Sequence, residues 1–143
     1  MDYRELLFYQ KAQLVVKKIN AEIQTWPKSS QAMDISRQLF RAAVSVGANI
    51  AEGHGRHEGA EYIHYLIIAQ GSANEIDHWL HTSIDCNLGN MQTLKQIIEI
   101  NNETRKMINT TISSLRKNVK LLRETPTPYS PIPYTPDEGN DNL

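Results

Sequence analysis

Apolar side chains recur along this chain at the three- and four-residue intervals of an α-helix, in four blocks separated by short polar or glycine-containing breaks. In the first block Phe8, Ala12, Val15, Ile19 and Ile23 form one stripe, while Lys11, Lys17, Lys18 and Glu22 fall mostly off it as a wet face. The pattern predicts a helix over residues 4–25. It stops at Trp26-Pro27 because the residue before a proline avoids the helical region. A second stripe, Ile35, Leu39, Ala42, Val46 and Ile50, predicts a helix over 33–53. Asp34 suits its positive end, and Gly53-His54-Gly55 reads as a C-cap, where glycine can take the left-handed conformation.

The third stripe, Tyr62, Leu66, Ala69, Ala73, Ile76 and Leu80, predicts a helix over 59–87. Tyr65, Ile68, Ser72 and Trp79 widen its apolar face, which implies contact with two neighbours. Its remaining face, with His64, Gly71, His78 and Asp85, is polar apart from Ile67. After the turn cluster Asn87-Leu88-Gly89-Asn90, a stripe from Leu94 to Leu122 predicts a fourth helix over 91–123, interrupted at Asn101 and Arg105. At ~1.5 Å per residue that helix is ~50 Å long, longer than helices one and two can cover. Part of its apolar stripe therefore asks for a partner, and an oligomer would supply one. The expected fold is all-α, an antiparallel up-down four-helix bundle over residues 1–123.

Helices two and three carry unusually small side chains where a hairpin would bring them together. Folding the chain back near residues 56–57 sets Ala42 and Ala43 level with Gly71 and Ser72. Such residues allow an interaxial distance of ~8 Å, and a bulky residue at Gly71 would then overpack the contact by ~1–3 kcal/mol. Asn49, Glu52 and Arg56 at the hairpin end, with Glu75 farther along, read as structural polar groups that bond the turn backbone and each other.

Beyond the bundle, residues 124–143 hold prolines at 126, 128, 131, 133 and 136 and an acidic end. Proline forbids helix there and favours an extended, solvated chain. Two readings stay open, a disordered tail and a docking peptide presenting Tyr129, Ile132 and Tyr134 to a partner groove.

Composition adds four points. The 143 residues are one domain by size, and 40% apolar with 22% charged residues is ordinary for a soluble protein. No run approaches the ~18 apolar residues of a membrane span, so the expected place is the cytoplasm and no membrane partner is implied. The lone Cys86 can form no internal disulfide and reads as a small, semi-buried apolar residue. The net charge of −1 conceals an asymmetry, because from Glu124 onward there are four acids and no base, and the body is mildly basic.

Candidate chemistry is sparse. Helix three carries Glu61–His64 and Glu75–His78, the Glu-x-x-His unit of di-iron bundles, but those sites need the pairs on different helices. Here they are ~21 Å apart on one helix, so no metal or other cofactor is expected. An RNase of the kind that uses an Arg and a His about five residues apart on one helix fits poorly, since Arg56 is followed by His57 and then His64. No nucleophile elbow, Walker loop or Cys–His arrangement appears.

The strongest charge signal is in the second half of helix four, where Arg105, Lys106, Arg116, Lys117, Lys120 and Arg123 occur with no acid among them. The plain reading is a solvated face with bases suited to a helix C-terminus. The functional one is a face for nucleic-acid phosphates, which at six contacts would lose roughly 10³ in affinity between 50 and 200 mM salt. No aromatic residue interleaves these bases, so sequence-independent backbone contact is the better match.

Arg41-Ala42-Ala43-Val44-Ser45, Asn49-Ile50-Ala51-Glu52-Gly53-His54-Gly55-Arg56, Glu61-Tyr62-Ile63-His64-Tyr65-Leu66 and Ala69-Gln70-Gly71-Ser72 with Glu75 closely resemble a known bacterial family. It is the four-helix bundle family first noted as open reading frames inside intervening sequences of large ribosomal RNA genes. The chain is also similar to the accessory variability determinant (Avd) proteins of diversity-generating retroelements. The resemblance is specific in the hairpin, extends into helix one through Trp26-Pro27-Lys28, and fades in helix four. It implies a bundle assembled as a five-fold ring, a homopentamer, without catalytic activity. For the retroelement branch it implies binding to nucleic acid and to a reverse transcriptase through basic surfaces. One departure is Gly47-Ala48, where many relatives carry a proline before Asn-Ile-Ala-Glu-Gly. The resulting expectation is a non-enzymatic oligomeric scaffold for RNA or DNA. A protein–protein adaptor using the tail is the alternative, and an RNase a distant third.

Overall fold

The computed structural model describes residues 1–56 and 59–124, the last four by backbone alone. A 3-10 turn, Tyr3–Glu5, leads into α1 (Leu7–Ile23), followed by α2 (Ser30–Arg56), α3 (Gly59–Asp85) and α4 (Met91–Glu124). The expected tail falls outside the described residues. The first helix is shorter than its stripe predicts because Asp2 and Glu5 close the 3-10 turn as a reciprocal capping box. The extended Leu6 then separates that turn from α1.

The four helices run up and down. Ser45 Oγ on α2 lies 2.9 Å from Ser72 Oγ on α3, and Lys11 on α1 reaches Glu103 on α4 at 2.7 Å. α1 and α3 each pack against both α2 and α4, while the backbones of the diagonal pairs stay apart among the described residues. α3 thus has the two neighbours its wide apolar face demands. One continuous core runs between them, with Ile19, Ile50, Leu66, Leu80 and Ile108 wholly buried. Apolar burial at ~25 cal/mol per Å² is what holds such a bundle together.

Polar interruptions in the stripes have structural reasons. Asn101 is buried and donates from Nδ2 to the Ala73 carbonyl of α3 at 2.9 Å, fixing the α3/α4 register. Glu22, expected on the wet face, is instead buried, and its Oε1 accepts the Asn90 N–H at 2.7 Å. That carboxylate sits at the start of α4, where Asn90 caps the Thr93 N–H. The three- and four-residue steps Val15, Ile19, Glu22 already put it on the apolar stripe.

The link from α3 to α4 is a Schellman motif. Leu88 N–H bonds the Ser83 carbonyl and Asn87 N–H the Ile84 carbonyl, with Asn87 left-handed at φ 56°. Leu88 turns into the core. Gly89, also left-handed at φ 70°, lies against the Glu22 carboxylate and the Trp26 indole, where a Cβ would collide with both.

Several expectations about α2 and α3 need correction. It starts at Ser30, capped by the Ser29 hydroxyl, so Asp34 is past the first turn and pairs with Arg37 at 2.8 Å instead. It also continues through Gly53 and Gly55 to Arg56, so neither glycine is a C-cap. Gly53 is the close-approach residue, because a Cβ there would come 2.7 Å from Tyr65 Cβ and 3.0 Å from the Tyr62 ring. Gly71, expected in the tight contact, is exposed with nothing within 4 Å of its Cβ position, although Ala42 and Ala43 are buried as expected. Cys86 is exposed, not semi-buried.

Two glycine substitutions should therefore have opposite signs. Gly71→Ala should stabilise by up to ~1 kcal/mol through helix propensity alone. Gly53→Ala should destabilise by ~1–2 kcal/mol, overpacking against the tyrosines outweighing the same propensity gain. Thermal melts of the two variants check the assignment.

Candidate nucleic-acid interface

α4 has 34 residues against 17 in α1 and 27 in each of α2 and α3. Its apolar stripe binds the second half to the bundle, since Ile108 and Ile112 are buried and Leu115 and Val119 half-buried against the core. Val119 rests on Gly59, the first residue of α3, where a Cβ would lie 2.8 Å from Val119 Cγ2. The last turn of α4 runs past that point. The excess length is thus smaller than the stripe suggests, because α3 covers more of it than α1 does.

The opposite side of this segment is polar. Lys106, Asn109, Ser113, Arg116 and Lys120 follow at three- and four-residue steps, all exposed, with Lys117 beside them. The helix has no acid between Glu103 and Glu124. On α3, Gln70, Ile67, Ile63 and Ala60 continue from Asp77 at helical steps, and none is acidic. Four of the six bases selected from the sequence, Lys106, Arg116, Lys117 and Lys120, are exposed on this segment, and the Arg123 side chain is outside the described residues.

Arg105 is the exception and is corrected out of the exposed set. It is half-buried between α3 and α4, with Nη1 donating to Asn102 Oδ1 at 2.9 Å and lying 3.8 Å from Asp77 Oδ1. His81 shares that carboxylate at 3.4 Å. A cleft of about 290 Å³ opens here between Gln70 and Asn102, Lys106 and Asn109. Arg105 Nε and Gln70 Oε1 are buried beside it and have no hydrogen-bond partner among the described residues, so an unspent donor and acceptor stand at the inner end of the basic file.

Glu103, one turn before Lys106, is held by Lys11 at 2.7 Å. The hydrogen bond from Lys11 and then its charge keep the Glu103 carboxyl below the usual carboxylate range. A depressed carboxyl contributes stability above its unfolded pKa and loses it as pH falls through the folded value, and at so exposed a pair the effect is small. Carbon-13 titration of Glu103 should show the depression, and Lys11→Met should move it back up toward the ordinary carboxylate range, with the Lys106 charge still holding it down.

The second expected group comes together only in part. Glu52 and Arg56 pair at 2.8 Å, with Arg56 over the Tyr65 ring at 5.8 Å. Asn49 donates to the Ser45 carbonyl and hydroxyl one turn back, not to the turn backbone. Glu75 is exposed, and no hydrogen bond or ion pair among the described residues joins it to the other three. Ser45, which ties Asn49 to Ser72 across the hairpin, carries no distinctive sequence signal beyond its small size. Among the described residues no group of three His, Cys, Asp or Glu is placed to hold a metal ion. His57 of the RNase reading lies outside them.

Residues 4–110 match the family described as 23S rRNA-intervening sequence protein. The chain belongs to this family. Among solved structures it is similar to a protein of unknown function from the S23 ribosomal protein family of Bacteroides thetaiotaomicron VPI-5482. That likeness has a TM-score of 0.69 and 24% identity, over 74% of this chain and 98% of that one. At that identity it shows the fold alone. No curated protein matches the chain. The family match ends ahead of Arg116, so the outer cationic turns of α4 lie beyond the part shared with the family.

Proposed function

We propose that this protein is a non-enzymatic, oligomeric scaffold that holds the backbone of RNA or DNA on the cationic flank of α4. The observation that carries the proposal is the file Lys106, Arg116, Lys117 and Lys120, exposed on a helix segment without acids. Phosphates recognised this way give affinity without sequence preference. In this reading the chain is a cytoplasmic homopentamer, and several files around a ring would act on one polyanion together. The likeness to the accessory variability determinant proteins extends the proposal to a reverse transcriptase as second partner.

Assembly has its own support, and on a different face from the one the stripe of α4 suggests. Met33, Phe40 and Val44 are 37–48% exposed at seven- and four-residue steps along α2, and Leu7 and Leu14 are exposed on α1. No helix among the described residues is long and apolar enough to cross a membrane, which makes subunit contact the simpler use for such side chains.

A gel shift at 50 mM salt with RNA and DNA duplexes tests the binding. The expected result is retardation of both without cleavage. Absence of any shift would reject the scaffold and leave the adaptor with its proline-rich tail as the better reading, while cleavage of the RNA would favour the RNase.

A further inference from the structure

A cleft of about 720 Å³ opens between the first three turns of α2 and the last two of α3, on a different edge of the bundle from the cationic file. That volume is in the range of small-molecule sites. Its apolar wall is formed by Trp79 and Ile35, both half-buried and packed on the core. The Trp79 ring is braced edge-on by His78, centroids 4.7 Å apart. The wall is therefore anchored rather than loose.

The polar lining is selective. Arg37 is neutralised by Asp34 at 2.8 Å. Arg41, one turn farther, makes no ion pair among the described residues, so the cleft carries one uncompensated positive charge. Gln31 and Gln38 stand two turns apart on the same face of α2, and their carboxamides have no protein hydrogen bond among the described residues. Each offers donors and an acceptor together.

These groups narrow the ligand. One aromatic wall is too little for an aromatic cage, and Arg41 opposes a cation. A purely apolar molecule would strand the two carboxamides and the guanidinium. A flat ring with a hydrogen-bonding edge and one anionic group uses all of them. We propose that this cleft binds a nucleotide, with its base against Trp79 and Ile35, the base edge toward Gln31 and Gln38, and the phosphate on Arg41. The site does not depend on the α4 file, and the nucleotide can be free or an unpaired one within a strand.

Isothermal titration of the protein with the four nucleoside monophosphates, with adenosine, with inorganic phosphate and with a single-stranded oligonucleotide tests the proposal. At least one monophosphate should bind saturably at or below about 1 mM. Arg41→Ala should weaken the monophosphate about tenfold or more while leaving the nucleoside nearly unchanged, and Trp79→Ala should weaken both. Trp79→Phe keeps a ring and serves if Trp79→Ala fails to fold. Charge reversal on α4 should leave monophosphate binding unchanged, which separates this site from the proposed scaffold function. Tighter, Trp79-dependent binding of the oligonucleotide identifies the source as a strand, and preference for the monophosphate identifies a free nucleotide. No saturable binding of any nucleotide, or binding indifferent to both Arg41 and Trp79, overturns the proposal.

Discussion

Replacing Gly89 by alanine is expected to lower the unfolding free energy by about 2–5 kcal/mol and the melting temperature by roughly 10–20 °C. Two effects combine. At φ 70° any residue with a Cβ carries backbone strain, and that Cβ would also meet the Glu22 carboxylate and the Trp26 indole. Displacing Glu22 exposes a third, because its oxygen satisfies the Asn90 N–H at the start of α4. Glu22→Gln keeps an acceptor there and should cost much less than Gly89→Ala. Asn87→Gly should be nearly neutral although Asn87 is also left-handed, since glycine accepts that conformation without strain. Calorimetric scans of the three variants rank the contributions, and equal losses for Gly89→Ala and Asn87→Gly would show that this lock is wrongly assigned.

The second large effect is on binding. Arg116→Glu, Lys117→Glu and Lys120→Glu together should lower affinity for an RNA or DNA duplex by about 10³-fold or more at 50 mM salt, because three released counterions each contribute roughly one power of ten there. Stability should hardly change, since all three side chains are exposed and surface substitutions usually stay within about 0.5 kcal/mol. Fluorescence anisotropy with a labelled duplex, read beside a thermal melt, checks both halves. Arg105→Glu is a contrasting control. It should disturb the melt, because it sets a second carboxylate beside Asp77 in a half-buried position.

The helices were legible because each buries a stripe with helical spacing, and the stripes of α3 and α4 map directly onto the core from Leu66 to Ile112. What spacing could not reveal was which small residue faces its neighbour. Gly53 and Gly71 look alike in sequence, and only the rotation of α2 against α3 puts the first under Tyr62 and Tyr65 and the second in solvent. Helix ends misled for a related reason. Glycine suits a C-cap, but at residue 53 the close approach of α3 uses the same lack of a side chain inside a helix that continues. The cationic file was visible as charge, yet Arg105 could be separated from it only once Asp77 was known to lie across the groove. The cleft at Trp79 left no local signal, because its lining comes from two helices about 40 residues apart in the chain.

The most direct measurement of the central claim is the duplex-binding constant as a function of salt. If Lys106, Arg116, Lys117, Lys120 and Arg123 each meet a phosphate, log K against log salt should fall with a slope of about −4 to −5 per bound chain, flattening to about −1 to −2 in the triple glutamate variant. Affinity that ignores salt, or a slope that the triple variant leaves unchanged, would contradict the account.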